Sequence, residues 1–479
     1  MATSDRPQQD CPQSNTPDQD NARPGGGIYV HQGQTRMARR FVAEHSASLR
    51  YVHGLGWHVW TGTHWSEDSN GLPMRLAIET VRTARLEAAV MPAGDDRDQL
   101  WRDAAKGDSH GGLKGILSIA SNLEPMAISA NVLDSDPYLF NTVNGTLDLE
   151  TGKLNPHNPN DLITKVAGCG YDPDAEGVHF PKFLSEILPD PEVREYVQCL
   201  VGCAMLGKVQ EHVLPLFIGA GRNGKSKLLE AVLHTFGDYG LTAPTSLLVE
   251  KNANASTSDK MMLRGKRIVV CSETDEGQRF ATSTVKLLTG GDDITARGLY
   301  KDWITFTPSH LIFLMTNHQP RTDGTDNAMF ERLKKISFEQ MFTGDRQDPE
   351  LSDKLELERQ VVLRWAVEGY QKYEKEGLKA PSKVEADTET YRLSNDPLGK
   401  FLSTYTLVQE GASVGVTELY NLWKAETKNF TTSKKAFSAR IEERDFTKKK
   451  VSSGMRFLGI ALRELDTDGD DQGPTVTER

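Results

Sequence analysis

The 479-residue chain carries 56 Lys and Arg against 67 Asp and Glu, a formal net charge of −11. That balance excludes a protein coated for general nucleic-acid binding, so any such contact must come from a local basic patch. The length allows about three domains, no apolar run approaches the ~18 residues of a membrane helix, and five scattered cysteines without paired ligand spacing fit a reducing cytosol.

Residues 1–37 are Asp, Gln, Asn, Pro, Ser and Gly with almost no aromatics, and include Pro24-Gly25-Gly26-Gly27. Such a stretch cannot bury enough surface to offset its ordering entropy and is expected to be a disordered tail. A folded region then runs over residues 38–178. Tyr51 to Trp65 alternates apolar and polar residues between glycines, the pattern of a small β-meander. Helical periodicity covers Leu76–Val90 and Asp98–Asn122, and Asn144 to Asn155 reads as a hairpin with a turn at Gly152. Asp134 and Asp136 precede Pro137 without a third metal ligand at a useful spacing, so a turn cluster is expected rather than a two-metal site.

Two helices, 181–187 and 191–206, lead into Leu216-Phe217-Ile218-Gly219-Ala220-Gly221-Arg222-Asn223-Gly224-Lys225-Ser226. A short apolar run ends in Gly-x-x-x-x-Gly-Lys-Ser, and an amphipathic helical pattern follows at once. This is the strand–loop–helix setting of a phosphate-binding loop. Backbone N–H groups of the glycine-rich turn and of the helix N-terminus can converge on phosphate oxygens. Lys225 would reach the β- and γ-phosphates, and the Ser226 hydroxyl would ligate Mg²⁺.

Two more buried strands follow, Arg267–Cys271 and Leu311–Thr316, each ending in polar residues. Strands alternating with helices predict a parallel α/β sheet, with ligands in the crevice at its carboxyl edge. Glu273 is the carboxylate best placed to serve the metal and the attacking water, with Asp275 and Glu276 as possible assistants. The amide of Asn317 would contact the γ-phosphate or the water. Arg332 is a candidate arginine finger reaching a neighbouring subunit's phosphates. Between the two strands, residues around Tyr300 and Lys301 suggest a β-hairpin whose basic, aromatic tip could grip single-stranded DNA. The Asn-Lys-x-Asp motif that reads guanine is absent, which sets a GTPase aside.

Gly219–Ser226, Arg267–Glu273, Leu288-Thr289-Gly290-Gly291-Asp292-Asp293-Ile294-Thr295-Ala296-Arg297-Gly298-Leu299-Tyr300 and Thr316-Asn317-His318-Gln319-Pro320 occur in one order. Together they resemble the superfamily III helicases, specifically the phage and plasmid replication ATPases related to the poxvirus primase–helicase. The resemblance covers roughly residues 40–460 and includes a helicase-associated stretch at Asn141–Gly152. It implies an AAA+-like ATPase core that assembles as a ring, usually a hexamer, and moves on single-stranded DNA with ATP and Mg²⁺. Carried over by position, Lys225 and Ser226 form Walker A, Glu273 serves Walker B, Asn317 is the sensor, Lys301 grips DNA and Arg332 acts across the interface. Relatives often have Arg-Arg where this chain has Glu331-Arg332. They also often carry a primase domain ahead of the helicase. None is expected here, so primers would come from a separate primase or another replication protein.

The core is expected over 179–345, a helical linker over 346–395, a DNA-binding module over 396–465 and a second disordered tail over 466–479. In the module, helical patterns at Thr417–Ala425 and Ser433–Glu443 precede a hairpin from Phe446 to Ile460, the outline of a winged helix. Between 421 and 457 stand ten Lys and Arg against four Asp and Glu, a local excess of six in an acidic chain. Lys434, Lys435, Lys448, Lys449 and Lys450 are the candidate DNA contacts. The resulting expectation is an ATP-dependent replicative DNA helicase of a phage, prophage or plasmid, in the cytoplasm of a bacterial host. The alternative is an ATP-switched replication initiator or loader with little unwinding.

Overall fold

The computed structural model describes residues 31–250, 257–272, 277–298, 302–322, 326–428, 432–452 and 454–463. Two compact units meet in sequence between Val132 and Leu133.

The first unit contains α1 (Gly33–His45), β1 (Leu49–Val52), β2 (Gly56–Trp60), β3 (Trp65–Glu67), α2 (Leu72–Val90), α3 (Asp95–Gly107), α4 (His110–Ala120) and β4 (Ala127–Ile128). Its sheet runs β3-β2-β1-β4, antiparallel except for the parallel β1–β4 pair. Met37, Ala38, Phe41 and Val42 form one buried face of α1, packed with Val81, Ala84, Leu100 and Ile116. The expected tail over 1–37 is therefore too long, because helix α1 takes in Gly33–Met37 to complete the turn that buries Met37. Nor is 98–122 one helix. Ser109 starts a new one by accepting at Oγ from the Gly112 N–H at 3.0 Å, and Gly107 is pressed so closely on Val81 that a Cβ would lie 3.0 Å from it.

The second unit begins with an antiparallel sheet of β5 (Leu139–Thr142), β6 (Gly145–Asp148) and β7 (Lys153–Asn155). Asp136 accepts from the Tyr138 N–H two positions on, as a turn residue does, whereas Asp134 accepts from the Thr164 N–H, 30 positions on. Then come α5 (His179–Ile187), α6 (Pro191–Cys203), β8 (Leu214–Ile218), α7 (Lys225–Phe236), β9 (Gly240–Ala243), α8 (Thr257–Met261) and β10 (Ile268–Ser272). They are followed by α9 (Thr282–Leu288), β11 (Ile294–Arg297), β12 (Trp303–Phe306), β13 (Leu311–Thr316), α10 (Asn327–Arg332) and β14 (Leu333–Ser337). Five of these strands form one wholly parallel sheet in the order β14-β8-β13-β10-β9.

The sheet is covered on both faces, as a parallel sheet requires. Phe217, Ile268, Val270, Leu311, Phe313 and Ile336 point into one core with α6 and α7. Leu216, Val269, Ile312, Leu314 and Leu333 point into the other, against α9, α10 and β11. Strand alternation thus divides one set of apolar runs between two cores.

Two sequence boundaries shift. Residues 133–178, grouped on sequence with the preceding region, belong to the large unit: Phe140 stacks on Tyr239 at 4.5 Å between ring centroids, and the buried Arg267 donates to the Pro137 and Leu139 carbonyls. The expected linker 346–395 is packed structure. It contains α11 (Leu351–Leu357), α12 (Arg359–Glu376) and α13 (Ser382–Asn395). Helix α12 buries Val362, Ala366 and Tyr370 against α6, where any Cβ at Gly202 or Gly369 would strike the facing helix backbone.

The last module has α14 (Pro397–Tyr405), β15 (Thr406–Gly415), α15 (Val416–Thr427), α16 (Lys434–Glu442), β16 (Lys448–Val451) and β17 (Gly454–Leu462). Its sheet order is β15-β17-β16, and its core holds Phe401, Leu419, Trp423, Phe437, Ile441, Phe457 and Ile460. Helix α14 and strand β15 were not anticipated, since their apolar residues match neither period over enough positions.

Candidate functional site

Strand β8 is buried along all five residues and ends at the sheet's carboxyl edge. The chain then turns through Gly219–Gly224 into α7. Gly221 and Gly224 adopt φ of +93° and +86°, the left-handed region that glycine enters without steric cost. A Cβ at Gly219 would press on the Asn223 amide and the Phe338 carbonyl. The N-cap of α7 is Gly224, which has no side chain to satisfy the amides of the first turn, so those amides are available to an acceptor. Ala220, Arg222 and Ser226 are exposed, while Asn223 and Lys225 are buried.

The Lys225 ammonium, only 3% exposed, donates to the Gly219 carbonyl at 2.6 Å, to Asn223 Oδ1 at 3.1 Å and to Asn317 Oδ1 at 3.2 Å. All three acceptors are neutral. Burial pushes the lysine down to about 8 from its ordinary 10.5, because desolvation disfavours its charge. A buried cation held by neutral oxygens at the amino end of an uncapped helix is a ready partner for an anion.

Asn317 follows β13 directly, and β13 lies beside β8 with Thr316 level with Ile218. Pairing of β10 with β13 sets Ser272 level with Met315, so the ends of three adjacent strands meet at one crevice. Glu273, Asp275 and Glu276 follow Ser272 but lie outside the described residues, as do Tyr300 and Lys301. Ser226 Oγ lies 3.4 Å from Met315 Sδ on the same edge.

The loop is also supported from a direction the motif does not reveal. Beyond β14, the Phe338 N–H donates to the Ile218 carbonyl, and the Phe342 N–H donates to the carbonyl of Arg222, itself at φ +50°. These are backbone contacts between segments more than a hundred positions apart, and no residue-type signal could have found them.

Arg332 is not brought to Lys225. Leu333 pairs with Leu214 at the start of β8, whereas Ser337 pairs with Ile218 at its end. Arg332 and Gly219 are thus about 20 Å apart along the strand direction. The guanidinium donates from Nε to Thr289 Oγ1 at 3.2 Å and from Nη1 to the Ala328 carbonyl at 2.6 Å. Lys286 pairs with Asp326 at 2.8 Å and ties α9 to the same helix start.

The candidate basic residues of the last module occupy two elements. Lys434 and Lys435 lie in the first turn of α16, and Lys434 Nζ reaches Thr417 Oγ1. Lys448, Lys449 and Lys450 form edge strand β16, opposite Phe457, Arg456 and Met455. Alternation separates them: Lys449 shares a face with Arg456, while Lys448 and Lys450 share the face of buried Phe457.

Fold and site define a mixed α/β protein with a parallel sheet and a glycine-rich turn at its carboxyl edge. The family described as "D5 N terminal like" matches residues 38–189, and the one described as "Family of unknown function (DUF5906)" matches residues 217–332. The "Putative helicase" of Acanthamoeba polyphaga mimivirus is 31% identical over 325 residues, 62% of this chain and 34% of that protein. The "Putative primase" of African swine fever virus (isolate Tick/Malawi/Lil 20-1/1983) is 25% identical over 340 residues, 66% of this chain and 35% of that one. The "Putative helicase" of Invertebrate iridescent virus 6 is 25% identical over 381 residues, 67% of this chain and 38% of that one. The chain therefore spans about a third of the length of the curated relatives it matches. An apo structure of the NrS-1 C-terminal region superimposes with a TM-score of 0.53 at 10% identity, covering 90% of this chain and 100% of that one, a likeness of fold alone. The chain is thus similar to the "D5 N terminal like" family over residues 38–189 and, over about two thirds of its length, to viral proteins named putative helicases and primases. Among the described residues, no helix is long and apolar enough to cross a membrane.

Proposed function

We propose that this chain is the motor of an ATP-driven replicative DNA helicase, working on single-stranded DNA as a homo-hexameric ring. The observation that carries the reading is the Lys225 ammonium, buried at the start of α7 and held, among the described residues, by neutral oxygens of Gly219, Asn223 and Asn317. The residues present fit a nucleotide triphosphate: glycines leave the loop backbone accessible, and a desolvated cation waits for an anion. Magnesium-bound ATP would supply the phosphoanhydride bond whose hydrolysis drives movement.

The chain's own groups divide the work. The 219–225 amides and Lys225 bind and orient β- and γ-phosphate oxygens, and Ser226 offers a hydroxyl to Mg²⁺. Glu273 would serve the metal and orient water, and Asn317 holds Lys225 in position. Arg332, turned to the far edge of the sheet, suits a site on the next subunit rather than its own. The core is then AAA+-like, half of each site lying on a neighbour.

The last module supports a winged helix. Its order is helix, strand, helix, helix, strand, strand, with the middle position of the sheet taken by the final strand. Lys434 and Lys435 on α16, with Lys448–Lys450 on the hairpin, would contact the DNA backbone, and Tyr300 and Lys301 would grip the translocated strand.

ATPase activity with and without single-stranded DNA, strand displacement and native mass test this reading together. DNA-stimulated hydrolysis and unwinding that disappear in Lys225→Ala are expected. DNA-stimulated hydrolysis without strand displacement in either polarity would replace the helicase with a loader. A monomer without DNA-stimulated turnover would remove both ring and motor.

A further inference from the structure

The hairpin of β11 and β12 has one anchored face and one open face. Ile294, Ala296 and Ile304 are buried, the first two in the core beneath the sheet. On the other face two cross-strand pairs stand side by side, Arg297 opposite Trp303 and Thr295 opposite Thr305. All four residues are exposed. The Arg297 guanidinium lies 4.9 Å from the centroid of the Trp303 ring, and the two threonine hydroxyls are 2.9 Å apart.

Trp303 is 56% exposed, more than any other of the chain's seven tryptophans. Leaving so large an apolar ring in water forgoes substantial burial energy. Packing does not explain it, because the hairpin is already anchored by its opposite face.

We propose that Arg297 and Trp303 form a nucleobase-stacking platform for single-stranded DNA on the stem of this hairpin. The proposal rests on the helicase reading and adds a binding surface separate from Tyr300 and Lys301. The chemistry suits one nucleotide at a time. Indole and guanidinium present π-faces on which any base can stack, the guanidinium charge complements a phosphate, and the adjacent hydroxyls donate to phosphate oxygens. One aromatic ring flanked by an arginine and two threonines is a poor match for an apolar protein partner, whose contact would need a larger continuous patch. Stacking would be tolerant of sequence, as a moving motor requires.

The test uses the full chain and a fluorescein-labelled oligo-dT, with binding read by anisotropy at two salt concentrations and native mass recorded in parallel. Trp303→Ala is expected to weaken binding roughly 5- to 150-fold. Trp303→Phe keeps a stacking ring and is expected within about threefold of wild type, and Arg297→Ala should both weaken binding and flatten its salt dependence. Because Trp303 is exposed, an unchanged circular dichroism spectrum is expected for each variant. Wild-type binding that Trp303→Ala leaves intact overturns the platform while sparing the helicase reading. Equal weakening by Phe and Ala also overturns it, since stacking would not be the cause. A changed native mass with unchanged DNA affinity overturns it in favour of a contact between copies. Failure of wild type to bind at all overturns the helicase reading itself.

Discussion

Lys225 and Asn317, 92 positions apart, are joined by a 3.2 Å hydrogen bond in which the ammonium donates to the amide oxygen. The bond links the start of α7 to the end of β13 across the sheet's carboxyl edge. It couples the group proposed to hold the phosphates to the strand that continues into Pro320 and Thr322. Replacing the amide by Asn317→Asp puts a negative charge beside that ammonium and in competition with phosphate. The KM for ATP is expected to rise about tenfold or more, whereas Asn317→Ala lowers kcat chiefly by leaving Lys225 less well oriented. Steady-state ATPase kinetics separate the two.

The depressed Lys225 has a signed consequence. Its folded-state value, about 8, lies below its ordinary 10.5, so its proton is lost more easily in the fold than in the unfolded chain. The stability contribution is fully present above 10.5 and is lost as pH falls through 8. Affinity for a triphosphate runs the other way, since the anion needs the charged form. Nucleotide affinity should fall as pH rises above 8, by about fivefold over the first pH unit and more steeply, toward about tenfold per unit, above pH 9. Titration of a fluorescent ATP analogue between pH 7 and 9.5 checks it.

Arg332 sits at the opposite edge of the sheet from Gly219. If it serves a neighbour, a Lys225→Ala chain and an Arg332→Ala chain are each inactive alone, yet mixed rings contain sites with both residues intact. Mixing the two should restore hydrolysis to a measurable fraction of wild type, near a quarter at equal proportions if subunits mix randomly and sites act independently. Absence of any recovery in exchanged rings would assign Arg332 to its own subunit's structure.

His310 is buried just ahead of β13, and desolvation pushes it down to about 4 from 6.5, opposed in part by the Leu288 backbone. A histidine depressed in the fold contributes stability that is complete above 6.5 and lost as pH falls through 4. That loss is on the order of 3 kcal/mol. Urea unfolding at pH 7 and pH 4.5 should show it, and His310→Leu should reduce the difference.

Helix α13 ties the core together before the chain enters α14. Thr388 Oγ1 accepts from the Lys335 N–H on edge strand β14, Tyr391 donates its hydroxyl to the Pro320 carbonyl, and Asn395 Oδ1 accepts from the Thr322 N–H. Arg392 lies 5.7 Å over the Phe330 ring in α10. Tyr391→Phe leaves a buried carbonyl without its donor and should cost about 1–3 kcal/mol. Because 320–322 lies between Asn317 and Arg332, the same change should reduce the stimulation of ATPase by single-stranded DNA. Urea unfolding and the ratio of stimulated to basal rates measure the two effects.

Much of the loop and its strand was legible before any fold was known. The Gly219–Ser226 pattern combines local backbone demands with a charge, and all of its residues lie within one turn of chain. β10 and β13 were legible as apolar runs for the same reason. The C-terminal module was read only in part, because α14 has a short apolar face and β15 is interrupted by an irregularity between Val408 and Ser413. The lysines of 448–450 read as one patch in sequence and fall on two faces in the strand, since alternation follows pairing register rather than composition.

By itself the sequence determined the chemistry available at Gly219–Ser226, the alternation of strands and helices, and the concentration of positive charge near the C-terminus. These depend on interactions a few residues in range. Only the tertiary structure decided that Asn317 meets Lys225, that Arg332 faces away from it, that 133–178 joins the large unit and that α13 is a strut rather than a linker. Each is a contact between distant segments, chosen by strand order and by which faces are left to bury. Nothing in the local pattern encodes that choice.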